Sequence, residues 1–247
     1  MTEIVEERWV DRRPARPEVA AQLVAECAVL PRIADRLPLT VPRPVVLDES
    51  PLRVRHVLVP GEPGDPATLT SEDGKLVGVF LRALHTTDVT ALPELLAPAE
   101  RHAALLADLA LLRAAVVPRL PPSLVAAGHE LLDAVAVPVP PVLTHGDLGP
   151  DHLLRTDGRV TGVIDWGDLR LGDPGLDLAW TLHGAPPAFA DALAASYGVT
   201  PALRDRALLW HRLGPWWEVL AGQDFLGPSY VASGLAGVVA RLDASSR

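Results

Sequence analysis

The segment from His145 to Asp177 constrains this 247-residue chain more than any other. Within it, Leu153 and Leu154 on one side, and Val160, Val163 and Ile164 on the other, flank an Asp157-Gly158 pair. Asp-Gly signals a two-residue hairpin turn, because both central residues of that turn take positive φ. The flanking residues are apolar, and the second set is β-branched, which suits strands. A hairpin folds the chain back, so the residues just before and just after it finish as neighbours. Asp147 precedes it and Asp165 follows it. Two hard oxygen donors around one small volume suit Mg²⁺, which bridges phosphate oxygens. They also suit a division of labour: one aspartate orients and deprotonates a hydroxyl, the other holds metal.

Three runs in this region, HGDLGPDHLL (145–154), GVIDWGD (162–168) and GDPGLDLAW (172–180), together resemble the aminoglycoside phosphotransferase family. That family shares the protein-kinase-like fold. The resemblance implies Asp147 as the catalytic aspartate, with His145 and Gly146 shaping its loop, and Asp165 as the principal metal ligand. Where the family carries Asn, this chain holds His152, as macrolide-type relatives do. His152 is the second metal-site candidate, although an imidazole replaces a hard oxygen donor there. Asp173 and Asp177 match a structural element, with Asp173 near a helix start. The implied cofactors are Mg²⁺ and ATP or GTP. The implied partners are that nucleotide and a small molecule bearing a hydroxyl, with an aminoglycoside, macrolide or cyclic-peptide antibiotic among the candidate acceptors.

Composition narrows the partners. The formal net charge of −9 argues against a nucleic-acid backbone. Cys27 is the single cysteine, so no internal disulfide and no cysteine metal cluster can form. The acidic start MTEIVEERW is unlike a signal peptide. No uncharged apolar run reaches the roughly 18 residues that a spanning helix needs. A cytoplasmic location with no membrane partner is the expectation; a homodimer stays an open option. Lys75 is the only lysine, which limits any scheme built on a phosphate-binding lysine.

The front of the chain reads as a small nucleotide lobe. Trp9–Arg13 forms a short strand, and a helix from Pro17 to about Arg36 follows, with Val19, Leu23, Cys27 and Leu30 at helical spacing. Val45–Leu47 and Arg53–Val59 are two further strands. The breaker-rich run from Pro60 to Pro66 marks the boundary between residues 1–60 and a helical remainder, 61–247. In the resembling family this boundary is the hinge that holds the base, which places Leu58, Val59 and Gly61 among the nucleotide contacts. The family's strand lysine and its helix glutamate correspond to Arg12 and Glu26. Arginine keeps the charge and can clamp phosphate, with a different shape. The family carries two more strands and a phosphate-covering loop ahead of Trp9, where this chain has almost nothing.

The remainder reads as helices. Thr70 and Asp73 form a capping-box variant opening one that carries Leu76, Val79, Phe80 and Leu84. His85 near its end reads as structural. Residues 98–117 carry the stripe Leu105, Leu106, Leu109 and Leu112, interrupted by Arg101, Asp108 and Arg113. A helix starting at Pro201 is expected to break near Gly214-Pro215. Near it, two aromatics and a carboxylate, Trp216, Trp217 and Glu218, suit a pocket for a polar, partly cationic ligand, with core packing the plainer reading for each tryptophan. In the resembling family the C-terminal helices build the acceptor site, which makes Trp217, Glu218 and Asp224 the candidates there.

The expected fold class is α+β: a protein-kinase-like two-lobed chain with a truncated β lobe and a mainly helical second lobe. The expected activity is a small-molecule kinase. The competing reading is a non-catalytic binding protein of the same shape, favoured by the absent lysine and by His152.

Overall fold

A computed structural model describes residues 1–92 and 98–243. Four strands, β1 (Thr2–Val5), β2 (Trp9–Arg12), β3 (Val45–Glu49) and β4 (Leu52–Val57), make an antiparallel sheet in the order β1-β2-β4-β3. Helix α1 (Pro17–Ile33) starts on a proline, whose fixed φ and missing N–H suit a first turn. The buried side chains Val10, Leu23 and Val54 belong to this sheet and helix. Strand β1 corrects the expectation that almost nothing precedes Trp9. Its four residues pair with β2 from Thr2↔Arg12 to Val5↔Trp9.

The rest is mainly helical. A two-residue strand, β5 (Glu62–Pro63), leads to helices α2 (Ser71–His85), α3 (Pro98–Val116) and α4 (Val125–Ala136). Strands β6 (Val142–Thr144), β7 (Leu153–Thr156), β8 (Arg159–Val163) and β9 (Arg170–Gly172) come next. Helices α5 (Pro174–His183), α6 (Pro187–Tyr197), α7 (Pro201–Ala221) and α8 (Pro228–Asp243) complete the described chain. The small sheets are β5-β7-β8 and β6-β9. No described helix is long and apolar enough to cross a membrane.

One apolar core runs from Leu30 and Ile33 of α1 through Phe80 and Leu81 of α2 to Trp166, Leu178 and Phe189. It therefore joins the front helix to the hairpin and the helices behind it. A second core gathers Leu112, Leu132, Trp216 and Val238 from α3, α4, α7 and α8. Burial of each such side chain contributes roughly 1.5–3 kcal/mol. Trp216 is a core residue.

The capping box at the start of α2 is present, and Asp73 does more than cap. Its Oδ1 accepts the Val160 N–H at 2.8 Å, tying the helix to β8. The same helix meets α6 through two glycines. A Cβ on Gly74 would lie 2.1 Å from the Phe189 carbonyl oxygen, and one on Gly78 would lie 2.1 Å from the Ser196 hydroxyl. Gly74→Ala is therefore expected to force the helices apart and lower stability by about 2–3 kcal/mol. Urea unfolding measures this, and an unchanged midpoint would refute the close approach.

Helix α7 passes through Gly214-Pro215 without a break, against expectation. Pro215 lacks the N–H that would bond the His211 carbonyl, and such an orphan normally weakens a helix. Here the Arg241 guanidinium of α8 donates to the His211 carbonyl instead.

Candidate active site

The hairpin forms as its turn residues require. Asp157 and Gly158 take φ values of 50° and 76°, and Thr156 pairs with Arg159. His152 then ties the backbone of the Asp147 loop to the Asp165 side chain. Its Nδ1–H donates to the Asp147 carbonyl at 2.6 Å, while its Nε2 stands 3.6 Å from Asp165 Oδ2. The Ile164 N–H donates to the His152 carbonyl at 3.0 Å, which fixes the residue before Asp165 as well.

Asp165 itself holds a left-handed φ of 62°. This conformation is uncommon for a residue with a Cβ and costs of order 1–3 kcal/mol, so the surroundings impose it. Gly146, at φ 91°, brings the two loops together: a Cβ there would lie 2.2 Å from the Asp168 carbonyl oxygen. Asp147 keeps its side chain open to the cleft. The walls nevertheless withdraw enough water to push its pKa up, with the charges of Asp168 and Asp165 adding to the rise and His152 opposing it.

His145 is fully buried. Its Nε2–H donates to the Ile164 carbonyl at 2.9 Å, and its ring lies 4.7 Å from that of Trp166. Burial first of all holds its pKa down. Its position makes it a brace between the two loops. Beneath it, Asp177 accepts the N–H groups of His145 at 2.8 Å and Gly146 at 2.9 Å. His85 Nε2–H reaches the same carboxylate at 3.1 Å, and its Nδ1 lies 2.8 Å from the Tyr197 hydroxyl. Burial pushes the Tyr197 phenol up to about 12, so it stays a donor toward His85.

On the sheet side, Arg12 Nη1 meets Glu26 Oε2 at 2.5 Å, as the matched positions anticipate. Glu26 is 1% exposed, and its Oε1 has no partner among the described residues. Burial raises its pKa above the usual range and Arg12 pulls it back. The charges of Asp165 and Asp168 also raise it. The three hinge candidates differ. Val59 is buried, Gly61 is exposed at φ 107°, and the Leu58 N–H already donates to the Arg8 carbonyl at 2.8 Å.

A cleft of about 1020 Å³ opens beside Asp147 and Asp168. Trp217 lines it. Glu218 and Asp224 are not among the lining residues: Glu218 sits half-buried toward Arg241, and Asp224 is exposed in the turn after α7. The sequence reading missed Asp168, Arg170 and Arg101, all of which line the cleft. Asp168 was visible as the second aspartate of GVIDWGD. Arg101 and Asp108 were visible as charges interrupting the apolar stripe of α3, a break that a purely core-facing helix does not need.

The donor set fits a divalent cation held with a nucleotide. Mg²⁺ usually takes one or two carboxylates and completes its shell with water and phosphate oxygens. Asp165 supplies such a carboxylate, exposed and aimed beside His152.

A family model described as the phosphotransferase enzyme family matches residues 2–216. An aminoglycoside 3'-phosphotransferase of Escherichia coli is 41% identical over 76 residues, 30% of this chain and 28% of that protein. A viomycin phosphotransferase of Streptomyces vinaceus is 38% identical over 77 residues, 29% of this chain and 23% of that protein. These alignments thus span less than a third of either curated relative. Whole-fold similarity is broader. The GDP and kanamycin complex of APH(2")-IIia superposes with a TM-score of 0.82 at 21% identity, covering 100% of this chain and 90% of that one. The macrolide 2'-phosphotransferase MphH from Brachybacterium faecium superposes with a TM-score of 0.70 at 26% identity, covering 93% and 84%. The α+β, kinase-like fold expected from the motifs is the fold these structures share with this chain.

Proposed function

The chain belongs to the phosphotransferase enzyme family, and we propose that it moves the γ-phosphoryl group of ATP or GTP to a hydroxyl of a small molecule. The observation that carries this reading is the junction of the Asp147 and Asp165 loops at His152, at the edge of the cleft. Residues 1–60 serve as the nucleotide lobe and residues 61–247 supply the reacting loop and the acceptor site. Solved relatives with GDP, and curated relatives acting on an aminoglycoside and on viomycin, support a nucleotide donor and an antibiotic acceptor.

In this mechanism, Asp147 accepts a hydrogen bond from the acceptor hydroxyl and takes its proton as the new O–P bond forms. The bond from the γ-phosphorus to the bridging oxygen breaks, and the electron pair leaves with the nucleoside diphosphate. Bound Mg²⁺ would supply charge neutralisation on the phosphate oxygens, held by Asp165 with His152 beside it. Arg12, fixed by Glu26, contributes positive charge on the sheet side. His145, Gly146 and Asp177 keep Asp147 where the hydroxyl arrives.

Thermal melting tests the donor half directly. A ligand at 100 times its Kd stabilises by about 2.7 kcal/mol, on the order of 5–10 °C for a chain of this size. MgATP or MgGTP is expected to raise the melting temperature of the native chain by that amount. Asp165→Ala is expected to lose most of the rise. No shift with either nucleotide at millimolar concentration would sink the kinase reading in favour of a non-catalytic binder.

A further inference from the structure

The charge balance of the cleft narrows the acceptor, an inference that rests on the phosphotransferase reading and deepens it. Four carboxylates line the cleft, at Asp108, Asp147, Asp168 and Asp173. Asp173 is consumed: its Oδ2 accepts from Arg206 Nε at 2.5 Å and Trp210 Nε1 at 2.7 Å, and its Oδ1 caps α5 through the Gly175 N–H. Asp168 is paired with Arg170 at 2.9 Å. Asp147 belongs to the reacting end. Asp108 remains, and it shares its stretch of wall with Arg101, whose positive charge pulls its pKa down against burial. The carboxylates expected to greet a cation, Glu218 and Asp224, stand outside the lining.

The cationic side has a vacancy of partners instead. Arg101 lies half-buried in the wall and makes no hydrogen bond or ion pair with any described residue. Burial and the nearby Arg170 work against its charge, and Asp108 and Asp168 offset them only in part. A partly desolvated guanidinium with no hydrogen-bonded partner is costly, and an incoming carboxylate relieves the cost with a charge-assisted, two-pronged contact. Arg241 adds a second positive charge to the same cleft. The remaining wall is apolar and aromatic: Leu105, Val137, Leu176, Trp180, Trp217 and Phe225. Phe225 sits exposed on a π-helical turn after α7, a local widening of the helix often found at functional sites.

We propose that the acceptor is an amphipathic, drug-sized molecule with a rigid apolar body, a hydroxyl presented to Asp147 and a carboxylate bound by Arg101. A polycation finds in this cleft no carboxylate, outside the reacting end, without an arginine beside it. An apolar face, by contrast, stacks on Trp217 and Phe225.

Cholate, below its micellar concentration, is a suitable probe, because it joins a rigid apolar body to several hydroxyls and one carboxylate. Its methyl ester removes only the charge, and kanamycin supplies the polycation. Binding is measured first by calorimetry without nucleotide, so that it is independent of the kinase reading; phosphoryl transfer from MgATP is measured second. The native chain is expected to bind cholate at least about tenfold more tightly than the ester, the worth of one charge-assisted contact. Arg101→Gln is expected to erase that preference while melting at the native temperature, and kanamycin is expected to bind more weakly than cholate. The proposal is overturned if kanamycin binds more tightly than cholate, if cholate and its ester bind alike to the native chain, or if cholate does not bind. A chain that binds cholate but shows no shift with MgATP would instead refute the phosphotransferase reading and leave the pocket assignment standing.

Discussion

Asp147→Asn is expected to lower kcat/KM for phosphoryl transfer by about 10³-fold, within the usual range for loss of a positioned general base. Asn keeps the size of the side chain and can still accept a hydrogen bond from the hydroxyl, but it cannot take the proton. The MgATP-dependent rise in melting temperature should persist, because the proposed mechanism gives the nucleotide and its metal to Asp165 and Arg12. That split between lost transfer and retained nucleotide binding separates a catalytic role from a structural one. The native pH profile gives a second handle. Water withdrawn from around Asp147, with help from Asp168 and Asp165, raises its pKa above the ordinary aspartate range. The base works only when ionised. Activity should therefore rise with pH through that raised pKa and fall on acidification earlier than an ordinary aspartate would cause. The residual activity of Asp147→Asn should lack this limb. A variant that keeps more than a tenth of native kcat/KM would remove Asp147 from the chemistry.

The parts of the fold that were legible in the sequence are those with a local physical cause. The Asp157-Gly158 turn forms because two adjacent residues must take positive φ, and the α2 capping box forms because Thr70 and Asp73 each meet a terminal N–H of the helix. That turn also brings the loop of Asp147 back to the loop of Asp165, where His152 joins them. What stayed hidden was set by contacts distant in sequence. Strand β1 is four residues long, too short for a periodic signal, and it exists because β2 offers it a ladder. Helix α7 survives Pro215 because an arginine from α8 reaches the freed carbonyl. In the acceptor region, Glu218 looked as eligible as Trp217, but successive residues on a helix project about 100° apart. Only the packing of α7 decided which of the two would face the cleft. Arg101 was legible as a charge within an apolar stripe, but its destination required knowing where α3 lies against the reacting loop.

The largest stability effect is expected from Asp177→Asn. The native carboxylate is fully buried and accepts from three donors: the His145 N–H, the Gly146 N–H and His85 Nε2–H. Burial alone would push its pKa up, yet the bonds from His85 and the two amides outweigh burial and hold it below the ordinary value. Asn offers one acceptor oxygen and turns an NH₂ group toward donors that already need a partner. Leaving buried donors unpaired around a lost charge costs about 3–5 kcal/mol, on the order of 10 °C in melting temperature for a chain of this length. The sign of the pH dependence follows from the depressed pKa. The stabilisation is fully present above the unfolded-state pKa of an aspartate and is lost as pH falls through the lower folded-state value. The native chain should thus show a steep acid limb in stability, and the variant a shallower one that starts from a lower plateau. His145 and Gly146 immediately precede Asp147, so the same substitution should also lower kcat in whatever fraction remains folded, with little change in nucleotide binding. Melting curves between pH 3 and pH 8 decide the matter. Equal melting temperatures for the two proteins at neutral pH would show that the buried aspartate does not hold the loop.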